Sequence, residues 1–119
     1  NYIPGYAGAT FDDQFNKTRM KTFYKKEFNP IEYLTLGTNL DILIKNNIIK
    51  KPDLIKIDVD GNELEVIKGM TSLLKKNKNI SILIEIDLRL KTGKKVHSLL
   101  KKNKFKLSSN RNDNYIYSK

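Results

Sequence analysis

Hydrophobic and polar positions follow two regimes along the chain. Residues 1–30 scatter Tyr2, Tyr6, Phe11, Phe15, Phe23, Tyr24 and Phe28 among Pro4, Gly5, Gly8 and Pro30 without a sustained period. That pattern predicts loop, with one strand over residues 21–28. From residue 31 the pattern becomes regular. A short strand over 32–36 ends at Gly37, and Thr38-Asn39-Leu40-Asp41 then has capping-box spacing. Leu40, Leu43, Ile44 and Ile48 follow at helical spacing, which predicts a helix over 39–47. After Lys50-Lys51-Pro52, the β-branched run Leu54-Ile55-Lys56-Ile57-Asp58-Val59 reads as a buried strand. Asp60-Gly61-Asn62-Glu63 supplies an acidic N-cap with Glu three residues on, and Leu64, Ile67, Met70 or Thr71, and Leu74 line one face of a single helix reaching about Lys75. Gly69 lies inside that helix at a propensity cost of about 1 kcal/mol relative to Ala, which implies close approach to the sheet.

The second half repeats the alternation. Residues 80–86 read as a buried strand, residues 94–102 as a helix using Val96, Leu99 and Leu100, and residues 105–108 and 114–117 as two strands. Asn110-Arg111-Asn112-Asp113 is turn chemistry, so the last two strands pair antiparallel. Ser72-Leu73-Leu74-Lys75-Lys76-Asn77-Lys78 recurs as Ser98-Leu99-Leu100-Lys101-Lys102-Asn103-Lys104. Each copy reads as a helix end, with Lys complementing the helix dipole and Asn taking the left-handed cap. Strand, helix, strand, helix, strand in this order predicts an α/β layer with parallel crossovers, closed by an antiparallel final strand. Ligands of such sheets collect beyond the carboxyl ends of the parallel strands. Asp58, Asp60, Asn62 and Glu63 stand at the end of one strand, and Glu85 and Asp87 at the end of the next. Converging on one rim, such carboxylates can hold hydroxyls, a metal or the proton of a nucleophile. Helix capping accounts for Asp60 and Glu63 without any ligand. Asp58 and Glu85 close apolar strands and need a partner or water.

Composition narrows the classes. The chain has 119 residues, enough for one domain, and no Cys, so disulfide frameworks, thiolate metal sites and cysteine nucleophiles are excluded. Its formal net charge is +10, but of the 23 basic residues only Arg19, Arg89 and Arg111 are Arg. Nucleic-acid readers favour the bidentate guanidinium, so nucleic acid is not the expected partner. No apolar run approaches the roughly 20 residues of a membrane span, and no basic n-region followed by an apolar h-region is visible from Asn1 on, so a cytoplasmic location is expected. Asp58-x-Asp60-x-Asn62 imitates a calcium loop, but Glu63 stands at its sixth position and Gly69 at its twelfth, so no metal is expected. His97, within a helix and without a second His, reads as a surface or half-buried residue. Gly5-Tyr6-Ala7-Gly8 lacks the third glycine and the preceding strand of a dinucleotide fingerprint.

The block from Leu54-Ile55-Lys56-Ile57-Asp58 through Val59-Asp60-Gly61-Asn62-Glu63 to Lys68-Gly69-Met70, followed by Ile80-Ser81-Ile82-Leu83-Ile84-Glu85-Ile86, closely resembles the signature of the FkbM-type S-adenosylmethionine-dependent methyltransferases. Leu34-Thr35-Leu36 and Leu40-Asp41 resemble the family's helix entry, with Gly37-Thr38-Asn39 intervening. The resemblance implies a Rossmann-like class I methyltransferase sheet, mostly parallel with an antiparallel C-terminal strand. It also implies O-methylation of a hydroxyl on a sugar or polyketide-like small-molecule or glycan acceptor, with S-adenosylmethionine as cofactor. Asp58 is then the expected acceptor-side base or orienting carboxylate, with Lys56 beside it on the same strand face, and Asp60, Glu63 and Glu85 are expected to bind the acceptor. In that fold the cofactor rests on a glycine-rich loop after the first strand, and neither that loop nor the acid after the second strand is found in this sequence. The expectation is therefore the C-terminal portion of one methyltransferase domain, residues 1–30 loop-rich and 31–119 the α/β core. The cofactor-binding half would be missing, leaving this fragment inactive by itself. The alternative is a basic, Lys-rich α/β module that binds nucleic acid or an anionic surface.

Overall fold

A computed structural model of the chain describes residues 36–59 and 61–119. The strand expected at 21–28, residues 32–35 of the strand expected at 32–36, and Asp60 lie outside the described residues. The elements are helix α1 (Leu40–Lys45), strand β1 (Leu54–Ile57), helices α2 (Glu63–Lys68) and α3 (Thr71–Lys76), strand β2 (Ser81–Glu85), helix α4 (Lys91–Lys102), and strands β3 (Lys106–Arg111) and β4 (Asn114–Ser118). The fold is mixed α/β. The sheet order is β1-β2-β4-β3. β1 and β2 are parallel, and β4 runs antiparallel to both β2 and β3, so β4 alone is reversed. A two-residue turn, Asn112-Asp113, joins β3 to β4, with Asn112 in the left-handed region at φ 54°. Asn tolerates that conformation better than most residues.

One face of the sheet is covered. Ile57, Ile82, Ile84 and Tyr117 are buried in one cluster with Ile67 and Met70, Leu73 and Leu74 of α3, Val96 and Leu100 of α4, and Phe105. Each such side chain contributes roughly 1.5–3 kcal/mol relative to exposure. The alternate positions face the other way: Leu54 is 68% exposed, and Lys56 and Glu85 are exposed. The two strands predicted as buried are therefore buried on one face only, and β1 stops at Ile57 rather than Val59.

The single helix predicted to Lys75 is two. Gly69 closes α2, and α3 starts afresh after Met70. The close approach that Gly69 permits is not to the sheet. A Cβ there would lie 2.8 Å from the Asn39 Cβ, and the Gly69 carbonyl accepts the Asp41 N–H at 3.2 Å. Asp41 explains how α3 can restart. Its Oδ2 accepts the Ser72 N–H at 2.6 Å and its Oδ1 accepts the Leu73 N–H at 2.9 Å, so this carboxylate caps α3 from 31 residues away. The capping box read at Thr38 is corrected accordingly: Asn39 caps α1, its Oδ1 accepting the Ile42 N–H at 2.9 Å.

Helix α4 begins at Lys91, three residues before the predicted start. Gly93 looks like a breaker in the sequence, yet it is buried where a Cβ would overlap the Asp87 carbonyl. The repeated helix ends also differ from expectation. Asn77 is extended (φ −82°, ψ 129°), its buried side chain bonding the Pro52 carbonyl and the Asn79 N–H, and after α4 the left-handed residue is Lys104 (φ 68°), not Asn103. Lys119 completes the C-terminus of α3 instead, its Nζ donating to the Leu74 carbonyl at 2.7 Å.

Candidate active site at the strand rim

The parallel pairing of β1 and β2 runs from Leu54↔Ser81 to Ile57↔Ile84. One step further along each strand come Asp58 and Glu85, so the register sets these carboxylates at neighbouring positions of one rim. The reversed strand β4 starts at the same place. Asn114 stands opposite Glu85, and the Ile86 N–H donates to the Asp113 carbonyl at 2.8 Å. Sequence reasoning did not bring Asp113 and Asn114 to this rim. The usable signal was the burial potential of Tyr115 and Tyr117, which makes β4 the inner strand, against the wholly exposed β3.

The carboxylates differ in what already occupies them. Lys56 Nζ lies 2.9 Å from Asp58 Oδ2, with side chains 64% and 46% exposed. The predicted same-face placement of this pair is what the structure has. An exposed pair of this kind is worth about 0–1 kcal/mol, so it orients Asp58 without anchoring the fold. Asp58 Oδ1 accepts no hydrogen bond from the described residues. Glu85 is exposed. Asp87 is fully engaged: its Oδ1 accepts the Arg89 backbone N–H and Nε–H, each at 2.8 Å, and its Oδ2 accepts the Arg89 Nη2 at 2.9 Å. These hydrogen bonds, the side-chain fork first, hold the Asp87 carboxyl below its ordinary pKa.

Glu63 has a local task that differs from the predicted one. It occupies the first position of α2 after the N-cap Asn62, and its Oε1 accepts the Gly61 N–H at 2.8 Å. This replaces the capping box read over residues 60–63. Gly61 has φ 106°, a conformation that favours glycine in the turn leaving β1. Among the described residues, no three His, Cys, Asp or Glu side chains gather closely enough to hold a metal ion. His97 lies on the covered side of the sheet, half-buried, with Nδ1 2.5 Å from the Tyr117 hydroxyl.

A family model described as "Methyltransferase FkbM domain" matches residues 5–107. The chain belongs to the FkbM methyltransferase family. The hexuronic acid methyltransferase AglP of Haloferax volcanii is 50% identical over 34 residues, which is 29% of this chain and 14% of that relative. The chain therefore matches a small part of that protein's length. No solved structure matches the chain significantly. Gly61 is the glycine nearest a strand end, and its N–H is already taken by Glu63. What the rim offers is a carboxylate oriented by a neighbouring cation, a group that can accept a hydrogen bond or a proton. No described helix is long and apolar enough to cross a membrane.

Proposed function

We propose that the protein is an S-adenosylmethionine-dependent O-methyltransferase whose acceptor is a hydroxyl of a sugar-like molecule. In this reading residues 1–119 form the C-terminal, acceptor-side portion of the domain. The observation that carries it is the placement of Asp58, oriented by Lys56, at the rim shared by β1, β2 and the start of β4. The strand order with β4 alone reversed supports the Rossmann-like class I assignment. The short match to a hexuronic acid methyltransferase supports the sugar class of acceptor.

Methylation of a hydroxyl oxygen releases one proton, and Asp58 accepts it. Lys56 orients that carboxylate from the same strand face. Glu85 binds a second hydroxyl of the acceptor, and Asp60 and Glu63 are assigned to acceptor binding with it. A carboxylate acceptor would need no base and would meet Asp58, Glu85 and Asp113 as like charges, so a hydroxyl suits this rim better. The cofactor supplies the methyl group. Its cradle is assigned to residues outside those described.

The test is transfer of labelled methyl from S-adenosylmethionine to a hexuronate-containing glycan, by the protein of the whole reading frame. A base-stable methyl ether is expected. Base-labile label, released as methanol from an ester, would overturn the hydroxyl assignment, and no transfer to any glycan would overturn the acceptor class.

A further inference from the structure

The charges of this chain are segregated. Residues 88–112 contain Arg89, Lys91, Lys94, Lys95, Lys101, Lys102, Lys104, Lys106 and Arg111 and not one Asp or Glu. Folding turns that run into a surface. Helix α4 buries Gly93, Val96 and Leu100, which leaves Lys91, Lys94, Lys95, Ser98, Lys101 and Lys102 exposed. The spacing i, i+3, i+4, i+7, i+10, i+11 places these on one outward stripe, about 18 Å long for a 12-residue helix. Among the described residues, the ion pairs are Lys56–Asp58, Lys68–Glu65 and Arg89–Asp87, and none uses a lysine of α4. Charge pairing among the described residues therefore does not account for the stripe.

We propose that the outer face of α4 docks the protein on a bilayer containing anionic lipids. Three observations favour a lipid surface over nucleic acid. The stripe is built of lysines, compact point charges suited to a diffuse anionic plane, and lacks the guanidinium forks that read bases. It carries no aromatic side chain on which a base would stack. At its start Leu90 is 56% exposed between Arg89 and Lys91, an apolar tip flanked by cations that enters the headgroup boundary as a base-paired groove would not require. Leu90 immediately follows the rim loop at Asp87 and Arg89, so a docked bilayer lies close to the candidate active site. This inference does not depend on the methyl-transfer reading, because binding needs neither cofactor nor acceptor.

The experiment is co-sedimentation of the 119-residue chain with phosphatidylcholine vesicles carrying 0 or 30% phosphatidylglycerol, at about 0.05 and 0.5 M salt. Binding to the anionic vesicles alone, weakened at least tenfold at high salt, is expected. The triple variant Lys94→Gln/Lys95→Gln/Lys101→Gln should lose about tenfold or more in partitioning, and Leu90→Ala should weaken binding without changing its salt dependence. The control Lys45→Gln/Lys50→Gln/Lys51→Gln removes equal charge elsewhere and should retain binding within about threefold. All these positions are exposed, and circular dichroism confirms that each variant folds. Equal loss in both triple variants, equal binding to neutral vesicles, or tighter binding to a short DNA duplex or single strand than to the anionic vesicles would each overturn the proposal.

Discussion

Asp58 and Asp87 are both carboxylates at the ends of neighbouring strands, yet their surroundings occupy them differently. Arg89 takes both oxygens of Asp87, whereas Lys56 takes one oxygen of Asp58. Asp58→Asn should therefore lower kcat by about a hundredfold or more while shifting urea stability by less than about 0.5 kcal/mol, since it removes a proton acceptor but only an exposed ion pair. Asp87→Asn should instead lower stability at neutral pH, where the carboxylate is ionised, and the difference from wild type should shrink as pH falls below about 4 and the wild-type carboxyl takes up its proton. The sequence singled out Asp58 as a candidate through its place after an apolar run and the family resemblance. It could not separate Asp58 from Asp87, because that distinction lies in the fork of Arg89. His97 adds a pH dependence of its own. Burial first, then the nearby Lys101, lowers its pKa from 6.5, so the unfolded chain binds the proton more readily than the folded one. Stability contributed by the neutral imidazole is complete above pH 6.5 and is lost as pH falls through the window below it. Burial also pushes Tyr117 from 10.0 up to about 12, so stability should fall again as pH rises through that interval. Urea midpoints measured from pH 5 to 11 should show both flanks, and His97→Gln should flatten the acidic one.

At the scale of elements, helix existence was legible and helix termination was not. The apolar spacing over residues 63–75 fits one helix, and nothing local marks the break after Gly69. The cause is tertiary: Asp41 caps a second helix, and Gly69 is pressed against Asn39. Asp41→Ala should cost about 1–2 kcal/mol in urea denaturation, more than an exposed Asp on an ordinary helix, because two N–H groups of α3 lose their acceptor. Gly93 teaches the same lesson with the opposite sign. A glycine that reads as a helix breaker is required for α4 to lie against the Asp87 carbonyl, so Gly93→Ala should destabilise the fold by about 1–3 kcal/mol despite a better helix propensity. A thermal melt of that variant moving upward would contradict this account. The strand pair at the C-terminus was legible from its turn residues. The insertion of β4 beside β2, which brings Asp113 and Asn114 to the rim, depends on long-range pairing that periodicity does not encode.

For the whole molecule, the sheet has one face covered by helices and one carrying Leu54, Lys56, Glu85 and a 38% exposed Ile116. Charge is divided as well, with acids at the rim and lysines along α4. The chain belongs to the FkbM family, and the proposed assignment gives the rim the acceptor and places the cofactor cradle elsewhere. On that assignment, residues 1–119 alone should bind S-adenosylmethionine no better than millimolar by calorimetric titration, and micromolar affinity would contradict it. The most direct test of the central claim compares wild type with Asp58→Asn in the protein of the whole reading frame, following labelled methyl from S-adenosylmethionine into a base-stable ether on a sugar hydroxyl. The account predicts ether formation by the wild type, with kcat reduced about a hundredfold or more in Asp58→Asn and KM changed little. Undiminished ether formation by Asp58→Asn would contradict it.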